Sequence, residues 1–277
     1  MRGWWREFSG LVLPTACGGC GRQRTVLCEG CRSALTGAPA RWVRPVPAPA
    51  GLPPVYAAAP YEDAVRAVLL GHKERGALGL AGVLGQALAA AARAAAGSAS
   101  GVRGPLLLVP VPSSRRAVRA RGHDAIRRMA LAAAAELRRT GTDARVAAVL
   151  RQRRTVADQA GLSAPQRLAN LSGALVVAGG GAGLLAGGHV VVVDDLMTTG
   201  ASLVEAARAI RAAGVGGRHT DAPGGARGPS GEIQGFPRAG AGLDRRGTGS
   251  VARDGDVPRP VAAVVAATPE SFAINRN

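Results

Sequence analysis

Four cysteines near the start of the chain have a spacing that suits a metal ion. The pattern C-x2-C-x7-C-x2-C is formed by Cys17, Cys20, Cys28 and Cys31. Two C-x2-C pairs supply the tetrahedral thiolate set of a structural zinc site, which leaves no open position on the metal. We therefore expect Zn²⁺ to fold this segment and not to take part in catalysis. Two disulfides or a redox-active pair are the alternatives, and the lack of a credible secretory signal disfavours the disulfides.

The second stretch that could do chemistry is VVVVDDLMTTGAS, residues 190–202. Its four valines are typical of a buried strand, and the residues after the two aspartates open a helix. The N–H groups of such a loop and the helix N-terminus form a cradle for an anion, to which hydroxyls at Thr198, Thr199 and Ser202 can also donate. Gly200 permits the close approach of a phosphate group. The stretch therefore predicts a phosphate site.

The adjacent carboxylates at this strand end require a different partner from the phosphate. Ionised Asp194 and Asp195 can only accept hydrogen bonds, so the hydroxyl groups of a ribose are their natural partners. The carboxyl end of a strand beside a helix N-terminus is also where open α/β sheets bind ligands. An ordinary helix cap is the alternative, but a cap needs neither paired aspartates nor the glycine.

A cluster of arginines follows another apolar run. Between Arg103 and Arg154, thirteen arginines oppose three acidic residues, a net charge of +10. The turn after the apolar run LLLVPV, residues 106–111, would place cations beside the proposed phosphate site, where a pyrophosphate group could be held. The candidates for this role are Arg115, Arg116, Arg121 and Lys73, the last being the one lysine of the chain. A solvated basic surface is the alternative.

The surrounding elements must bring these residues together, and their pattern indicates an α/β fold with a parallel sheet. Strands are predicted at residues 106–111, 146–150, 174–177, 189–193 and 261–266, and helices at residues 63–70, 78–96, 124–139 and 201–213. Strands that are apolar on both faces and separated by helices are typical of parallel sheets. Asp124 is expected to cap its helix, and residues 71–76, which include Lys73, to form a break.

The composition divides the chain into modules. We expect residues 1–36 to form a zinc ribbon, residues 37–55 a stiff proline-rich linker, and residues 56–277 the α/β domain. Residues 215–260 are rich in Gly, Arg and Pro without a hydrophobic period, so they are expected to be a disordered insertion before a final edge strand. A functional loop and a corrupted reading frame are the open alternatives for this stretch.

The charge balance and the lack of targeting segments limit the partners and the location. Lys and Arg total 35 against 18 acidic residues, and this formal charge of +17 suits a polyanion, although an arginine-rich, G+C-rich coding sequence would also produce it. We find no uncharged apolar run of about 18 residues, and so expect no membrane-spanning helix. Glu7 and Pro14 interrupt the only signal-like stretch, which leaves a cytoplasmic protein as the expectation.

Several of these stretches resemble known proteins. Residues 190–202 resemble, at every diagnostic position, the signature of type I phosphoribosyltransferases, which bind 5-phosphoribosyl-1-pyrophosphate (PRPP). The VPVP run at residues 109–112, the RGH run at residues 121–123 and the Q-x-x-L-x-x-x-x-R-x-x-N pattern at residues 159–170 resemble the ComF family. Tyr61 and Lys73 fit the helix and loop upstream in that family. The resemblance covers nearly the whole chain except residues 215–260.

The resemblance implies a zinc ribbon joined to a type I phosphoribosyltransferase domain, with Mg²⁺ accompanying PRPP. It implies that Asp194 and Asp195 hold the ribose 2- and 3-hydroxyls. The residues implied for the 5-phosphate are Thr198, Thr199, Gly200, Ala201 and Ser202. The family is linked to competence and uptake of transforming DNA. The expected function is phosphoribosyl transfer to an unidentified acceptor, with no catalytic residue assigned; the alternative is a non-enzymatic DNA-uptake adaptor or single-stranded DNA-binding protein.

Overall fold

The computed structural model describes residues 16–98, 104–154, 156, 161–216 and 259–275. The first fifteen residues of the expected zinc ribbon lie outside this part of the chain. Most of the expected insertion, residues 217–258, also lies outside it, and residues 215 and 216 belong to the preceding helix.

The described residues form helices and strands in alternation. The helices are α1 (Glu29–Thr36), α2 (Asp63–Glu74), α3 (Ala81–Gly97), α4 (Arg115–Arg121), α5 (Ala125–Arg139), α6 (Ala164–Leu171), α7 (Gly181–Ala186) and α8 (Ala201–Gly216). The strands are β1 (Arg41–Val43), β2 (Val55–Pro60), β3 (Leu106–Pro110), β4 (Ala144–Val146), β5 (Leu150–Gln152), β6 (Leu175–Val177), β7 (His189–Met197) and β8 (Val261–Ala267). Short 3₁₀ helices cover Leu78–Leu80 and Pro269–Asn275.

The main sheet has six strands in the order β1-β2-β8-β7-β3-β4. All neighbouring pairs are parallel except β1 and β2, which confirms the predicted α/β class with a mostly parallel sheet. Strands β5 and β6 form a separate antiparallel pair. The last strand, β8, was expected at an edge, and that expectation was wrong. It lies between β2 and β7 because its seven residues are all buried and apolar, which suits an interior position.

Strand β7 divides the hydrophobic core into two layers. Val191 and Val193 face a layer that includes α2, α3 and α5, and Val190 and Val192 face the layer that includes α8. This alternation follows from the two-residue period of a strand. The valine run is buried on both faces, and it positions the two aspartates that follow it in the same strand.

Helix α3 lies at the centre of the first layer. Gly85 allows a close approach to α5, because a Cβ at this position would lie 2.5 Å from the Cβ of Ala132. Leu78–Gly97 is long and apolar enough to cross a membrane by length and composition alone. More than half of this stretch is buried inside the protein, and a buried core helix meets the same criterion.

Helix α2 extends into the predicted break at residues 71–76. The helix ends at Glu74, so Lys73 lies in its last turn and not in a loop. Gly71 lowers the helix propensity, but it is buried, and a Cβ there would already lie 3.4 Å from the Leu80 side chain. Tertiary packing thus favours the helix, which stops before Gly76, where φ is +66°.

Two other predictions differ from the structure in detail. Within the predicted linker, Arg41–Val43 pairs with β2 as an edge strand, and Val43 is buried. The predicted strand at residues 146–150 is instead the turn between β4 and β5, in which the N–H of Val149 donates to the carbonyl of Ala147 at 2.8 Å. Such short strands carry too few residues to show a period, and their pairing depends on distant partners.

Candidate functional site

The four cysteines converge on one point. Their sulfur atoms all lie within 4.8 Å of one another, and the sulfurs of Cys20 and Cys28 are 3.6 Å apart. Tetrahedral Zn²⁺ with Zn–S bonds of about 2.3 Å separates its sulfurs by about 3.8 Å. None of the four is in a disulfide. The donor set is therefore consistent with a structural zinc site, as the sequence predicts.

Backbone N–H groups favour the thiolate, the form of cysteine that binds metals, at Cys17, whereas burial raises the pKa of Cys31. Burial acts to raise the pKa of Cys17, but N–H groups of Cys20, Cys28 and Gly19 outweigh it and lower the pKa to about 6. The N–H of Cys28 lies 3.3 Å from the Cys17 sulfur. A Cβ at Gly19 would lie 2.6 Å from the Cys31 sulfur, so the cluster requires glycine there.

The two aspartates lie inside β7, because the strand continues to Met197 and does not end before them. Both are buried, with exposed fractions of 6% for Asp194 and 5% for Asp195. The Nζ of Lys73 lies 2.7 Å from Oδ2 of Asp195, and the N–H of Asp195 donates to Oδ1 of Asp194 at 2.9 Å. Two buried carboxyl groups thus share one nearby cation.

The surroundings of Asp194 favour the neutral, protonated form of its carboxyl group. Burial, reinforced by the charge of Asp195, raises the pKa of Asp194 well above its usual range, and Lys73 opposes this effect. Burial acts to lower the pKa of Lys73, but attraction to Asp195 and Asp194 outweighs it, so the pKa is raised. Hydroxyl donors from a bound ligand would act in the same direction as Lys73 and favour ionised Asp194.

The loop between β7 and α8 offers unused donors. Among the described residues, the N–H groups of Thr198, Thr199 and Gly200 have no hydrogen-bond acceptor, and α8 begins directly afterwards at Ala201. Gly200 has a φ of +77°, and a Cβ there would lie 2.8 Å from Cδ1 of Leu52. Glycine is therefore needed on both counts, and the loop can receive an anion as the sequence predicts.

Arg167 on α6 reaches this loop, which the sequence analysis did not foresee. Its Nη1 donates to the Thr198 hydroxyl at 3.2 Å. Its Nε is buried and has no hydrogen-bond partner among the described residues. The one sequence signal was the arginine of the Q-x-x-L-x-x-x-x-R-x-x-N pattern, which carried no assigned role, and only the tertiary fold brings positions 167 and 198 together.

The predicted pyrophosphate ligands fall into two groups. Arg115 and Arg116 are exposed in the first turn of α4, which follows β3 and whose N-terminus is capped by Ser114. Arg121 instead forms two hydrogen bonds to Glu74 at 2.9 and 3.0 Å. Because β3 and β7 are parallel neighbours, α4 starts at the same edge of the sheet as the aspartates.

The C-terminal turn of α2 connects these groups. Lys73 binds Asp195, Glu74 binds Arg121, and the carbonyl of His72 lies 3.2 Å from Nε2 of His123. The predicted N-cap of α5 is confirmed, because the Asp124 carboxylate accepts from the N–H of Arg127 at 3.1 Å. One helix end thus links the aspartate pair to the arginine-rich segment.

Two distinct sites therefore arise from the described residues: the cysteine cluster, and the edge of the sheet where β7 meets α8. Among these residues, the four cysteines are the only group of three or more His, Cys, Asp or Glu side chains close enough to share a metal ion. No protein-family model matches the chain, and no curated protein matches it significantly.

Proposed function

We propose that the chain is a ComF-type phosphoribosyltransferase that binds PRPP where β7 meets α8. The observation that carries this proposal is the arrangement along β7. A buried pair of aspartates lies beside a single lysine and is followed by a loop in which three N–H groups have no acceptor among the described residues. Acceptors for hydroxyls next to donors for a phosphate are complementary to a ribose phosphate.

The ribose and its 5-phosphate occupy different parts of this arrangement. The carboxylates of Asp194 and Asp195 accept hydrogen bonds from the 2- and 3-hydroxyls. The N–H groups and hydroxyls of residues 198–202 donate to the 5-phosphate, and the N-terminus of the sixteen-residue helix α8 favours its negative charge. Lys73 favours the ionised form of Asp194, because its charge lowers the pKa of that carboxyl against the larger raising effect of burial.

Transfer breaks the bond between C1 of the ribose and the pyrophosphate oxygen, and pyrophosphate leaves with the electron pair. An acceptor atom forms the new bond to C1 and gives up its proton. Of the four predicted pyrophosphate ligands, Lys73 and Arg121 are in ion pairs, whereas Arg115 and Arg116 are exposed and can stabilise the negative charge that develops on pyrophosphate. Mg²⁺ accompanies PRPP and is held mainly by the substrate and water, as is usual for this ion.

The cysteine cluster has a structural part in the proposal. We assign Zn²⁺ to Cys17, Cys20, Cys28 and Cys31, because four closely spaced thiolates satisfy its coordination completely. The zinc-binding segment then supports α2, against which it packs through contacts between α1 and α2 and between the cysteine cluster and Ala64. Since Lys73 lies in α2, the zinc site contributes to the substrate site only by stabilising the helix that positions Lys73.

The proposal is tested by pyrophosphate release from PRPP and Mg²⁺ in the presence of a panel of nucleobases. The native protein should release pyrophosphate faster when the correct acceptor is added. The double variant Asp194→Asn, Asp195→Asn should lose this activity, while Glu136→Gln, which changes an ion pair with Arg139 in α5, should retain it. Equal release by the native protein and the double aspartate variant would contradict the assignment.

A DNA-binding role is the second candidate, favoured by the exposed arginines Arg115, Arg116 and Arg119 on α4. Contacts with phosphates make affinity for single-stranded DNA fall steeply with salt. If this role is the principal one, a labelled oligonucleotide will bind with a steep salt dependence, and the double aspartate variant will bind it equally well. Loss of DNA binding in a variant with all three arginines changed to Gln would locate the surface.

A further inference from the structure

The Arg167 side chain is held in an incomplete hydrogen-bonding environment. Nη1 donates to Thr198, whereas Nε is shielded from solvent and has no acceptor in the part of the chain that the structure describes. Within the described residues, no carboxylate pairs with this guanidinium. A buried donor without a partner is unfavourable, and in a native structure it indicates an unseen water, ion or ligand.

The chemistry of the guanidinium narrows the choice of partner. Nε–H and one terminal N–H group point in the same direction and form a fork that matches two oxygens of a phosphate or carboxylate. Thr198, to which Arg167 already donates, is the first residue of the loop with free N–H groups. Donors from two separate elements, α6 and the β7–α8 loop, therefore lie at one place.

We propose that Arg167 is a direct ligand of the phosphomonoester in this loop, binding two of its oxygens through the edge of the guanidinium that contains Nε. This inference rests on the proposed function and adds a residue that lies outside the 190–202 stretch. It also assigns Arg167 a specificity role: the site distinguishes a doubly charged terminal phosphate from an unphosphorylated ribose hydroxyl through a fixed cation.

Hydrogen bonds at both ends of α6 hold the backbone of Arg167 in place. Its N-terminus is fixed by a reciprocal capping box between Ser163 and Gln166, directly before Arg167. At its C-terminal end, the carbonyls of Asn170 and Ser172 accept hydrogen bonds from the Arg154 side chain at 2.8 and 2.9 Å. A helix held at both ends presents the Arg167 side chain with little loss of conformational entropy on binding.

Equilibrium binding of three probes tests the inference: PRPP with Mg²⁺, ribose 5-phosphate, and inorganic pyrophosphate with Mg²⁺. The variants are Arg167→Met and Arg167→Lys, the second of which keeps the charge without the fork. Arg66→Met, in which an exposed arginine of α2 is replaced, controls for the loss of one positive charge. Thermal unfolding of each variant reports its folding.

Arg167→Met should weaken PRPP and ribose 5-phosphate binding by about 10- to 100-fold, the usual effect of losing a charged hydrogen-bonding pair. Arg167→Lys should recover only part of this loss, and pyrophosphate binding should change less than about twofold in either variant. If Arg167→Met fails to fold, Arg167→Lys supplies the comparison.

The outcomes separate this inference from the proposed function. Native protein that binds PRPP, together with an Arg167→Met variant that binds ribose 5-phosphate equally well, overturns the role of Arg167 and leaves the proposed function standing. Equal weakening of all three probes identifies a structural role and also overturns the inference. Native protein that binds neither PRPP nor ribose 5-phosphate contradicts both.

Discussion

In the proposed function, Asp194 accepts hydrogen bonds from a ribose in a place where burial favours the neutral form of its carboxyl. Its pKa is raised well above the usual range because of burial and the neighbouring charge of Asp195. A group whose pKa is higher in the folded state stabilises the fold at low pH, and this contribution is lost as the pH rises through the folded pKa. The proposed function requires ionised Asp194 at neutral pH, whereas the protonated form of this residue gives the more stable fold.

Replacing Asp194 by Asn should consequently stabilise the protein while weakening substrate binding. The amide oxygen can still accept the N–H of Asp195, and the variant has no charge to bury. We expect a higher free energy of unfolding at pH 8, a gain that disappears on acidification, and about 10- to 100-fold weaker PRPP binding. Denaturant unfolding across the pH range measures the first effect. A variant that is less stable than the native protein at pH 8 contradicts this electrostatic account.

Lys73 opposes the same burial effect. Without its charge the pKa of Asp194 would rise further, so Lys73→Met should shift the pH at which PRPP binding is half-maximal to a higher value. Lys73→Arg should retain most of the native pH profile. Titrations of PRPP between about pH 6 and pH 9 measure the shift. An unchanged profile in Lys73→Met would show that Lys73 does not control the ionisation of Asp194.

At the scale of elements, Glu205 joins α8 to β6. Its carboxylate accepts from the N–H of Leu175 at 2.8 Å and from Arg208 at 2.7 and 2.8 Å, and Arg208 donates to the carbonyl of Leu175 at 2.9 Å. Burial acts to raise the pKa of Glu205, but the bonds to Arg208 and to backbone N–H groups outweigh it and lower the pKa. The anchored helix is the one that begins directly after the loop of residues 198–200, the proposed phosphate site.

Glu205→Gln should lower the free energy of unfolding by about 1–3 kcal/mol at pH 7, the range for a lost buried charge-assisted bond. Since the folded pKa is below the unfolded one, the native contribution is present above the unfolded pKa of Glu and is lost as pH falls through the folded pKa. The difference between native and variant should therefore shrink on acidification. Glu136→Gln, which changes a surface pair, is the control; an equal effect in both variants would contradict the anchoring role.

Elements that are long or buried on both faces could be predicted from the sequence. The valine run of β7, the alanine-rich α3 and the capped α5 follow from local apolar pattern and from Asp124. The continuation of α2 past Gly71 and the short strand Arg41–Val43 could not, because both depend on packing against residues distant in sequence. Local propensity is the weaker influence in each case.

The same contrast between local features and long-range contacts holds within the candidate site. The aspartates, hydroxyls and glycine are contiguous between residues 194 and 202, so their placement at one strand end was predictable. The Lys73–Asp195 and Arg167–Thr198 contacts join residues more than thirty positions apart. No local sequence pattern predicts those contacts, although the family resemblance includes both Lys73 and Arg167.

At the scale of the whole molecule, the cysteine-bearing segment packs directly on the α/β domain. Helix α1 contacts α2, α3 and β2, and a Cβ at Gly18 would lie 2.9 Å from the Leu80 side chain. The expected linker therefore does not separate two independent bodies at this surface. Removal of the proposed Zn²⁺ should therefore destabilise the whole fold.

We expect one Zn²⁺ per chain by elemental analysis of the purified protein. A strong chelator, or Cys31→Ser, should lower the melting temperature of the whole protein by several degrees, since 1 kcal/mol corresponds to about 2–4 °C for a domain of this size. Unfolding monitored by near-ultraviolet circular dichroism provides the measurement. Metal-free protein with unchanged stability would refute the zinc assignment.

The excess positive charge also has a defined location in the molecule. Residues 103–154 carry a net charge of +10, and the described part of this span includes α4 and α5 beside the edge of the sheet where β7 meets α8. A substrate with several phosphate charges is complementary to this surface, and the attraction should weaken with added salt.

Calorimetric titration of PRPP with Mg²⁺ into the full-length protein tests the central claim most directly. Native protein should bind one PRPP per chain with a saturable heat, Glu136→Gln should match it, and Asp194→Asn, Asp195→Asn should give no detectable binding heat while remaining folded. The account is contradicted if the native protein gives no binding heat, or if the double aspartate variant binds PRPP as tightly as the native protein.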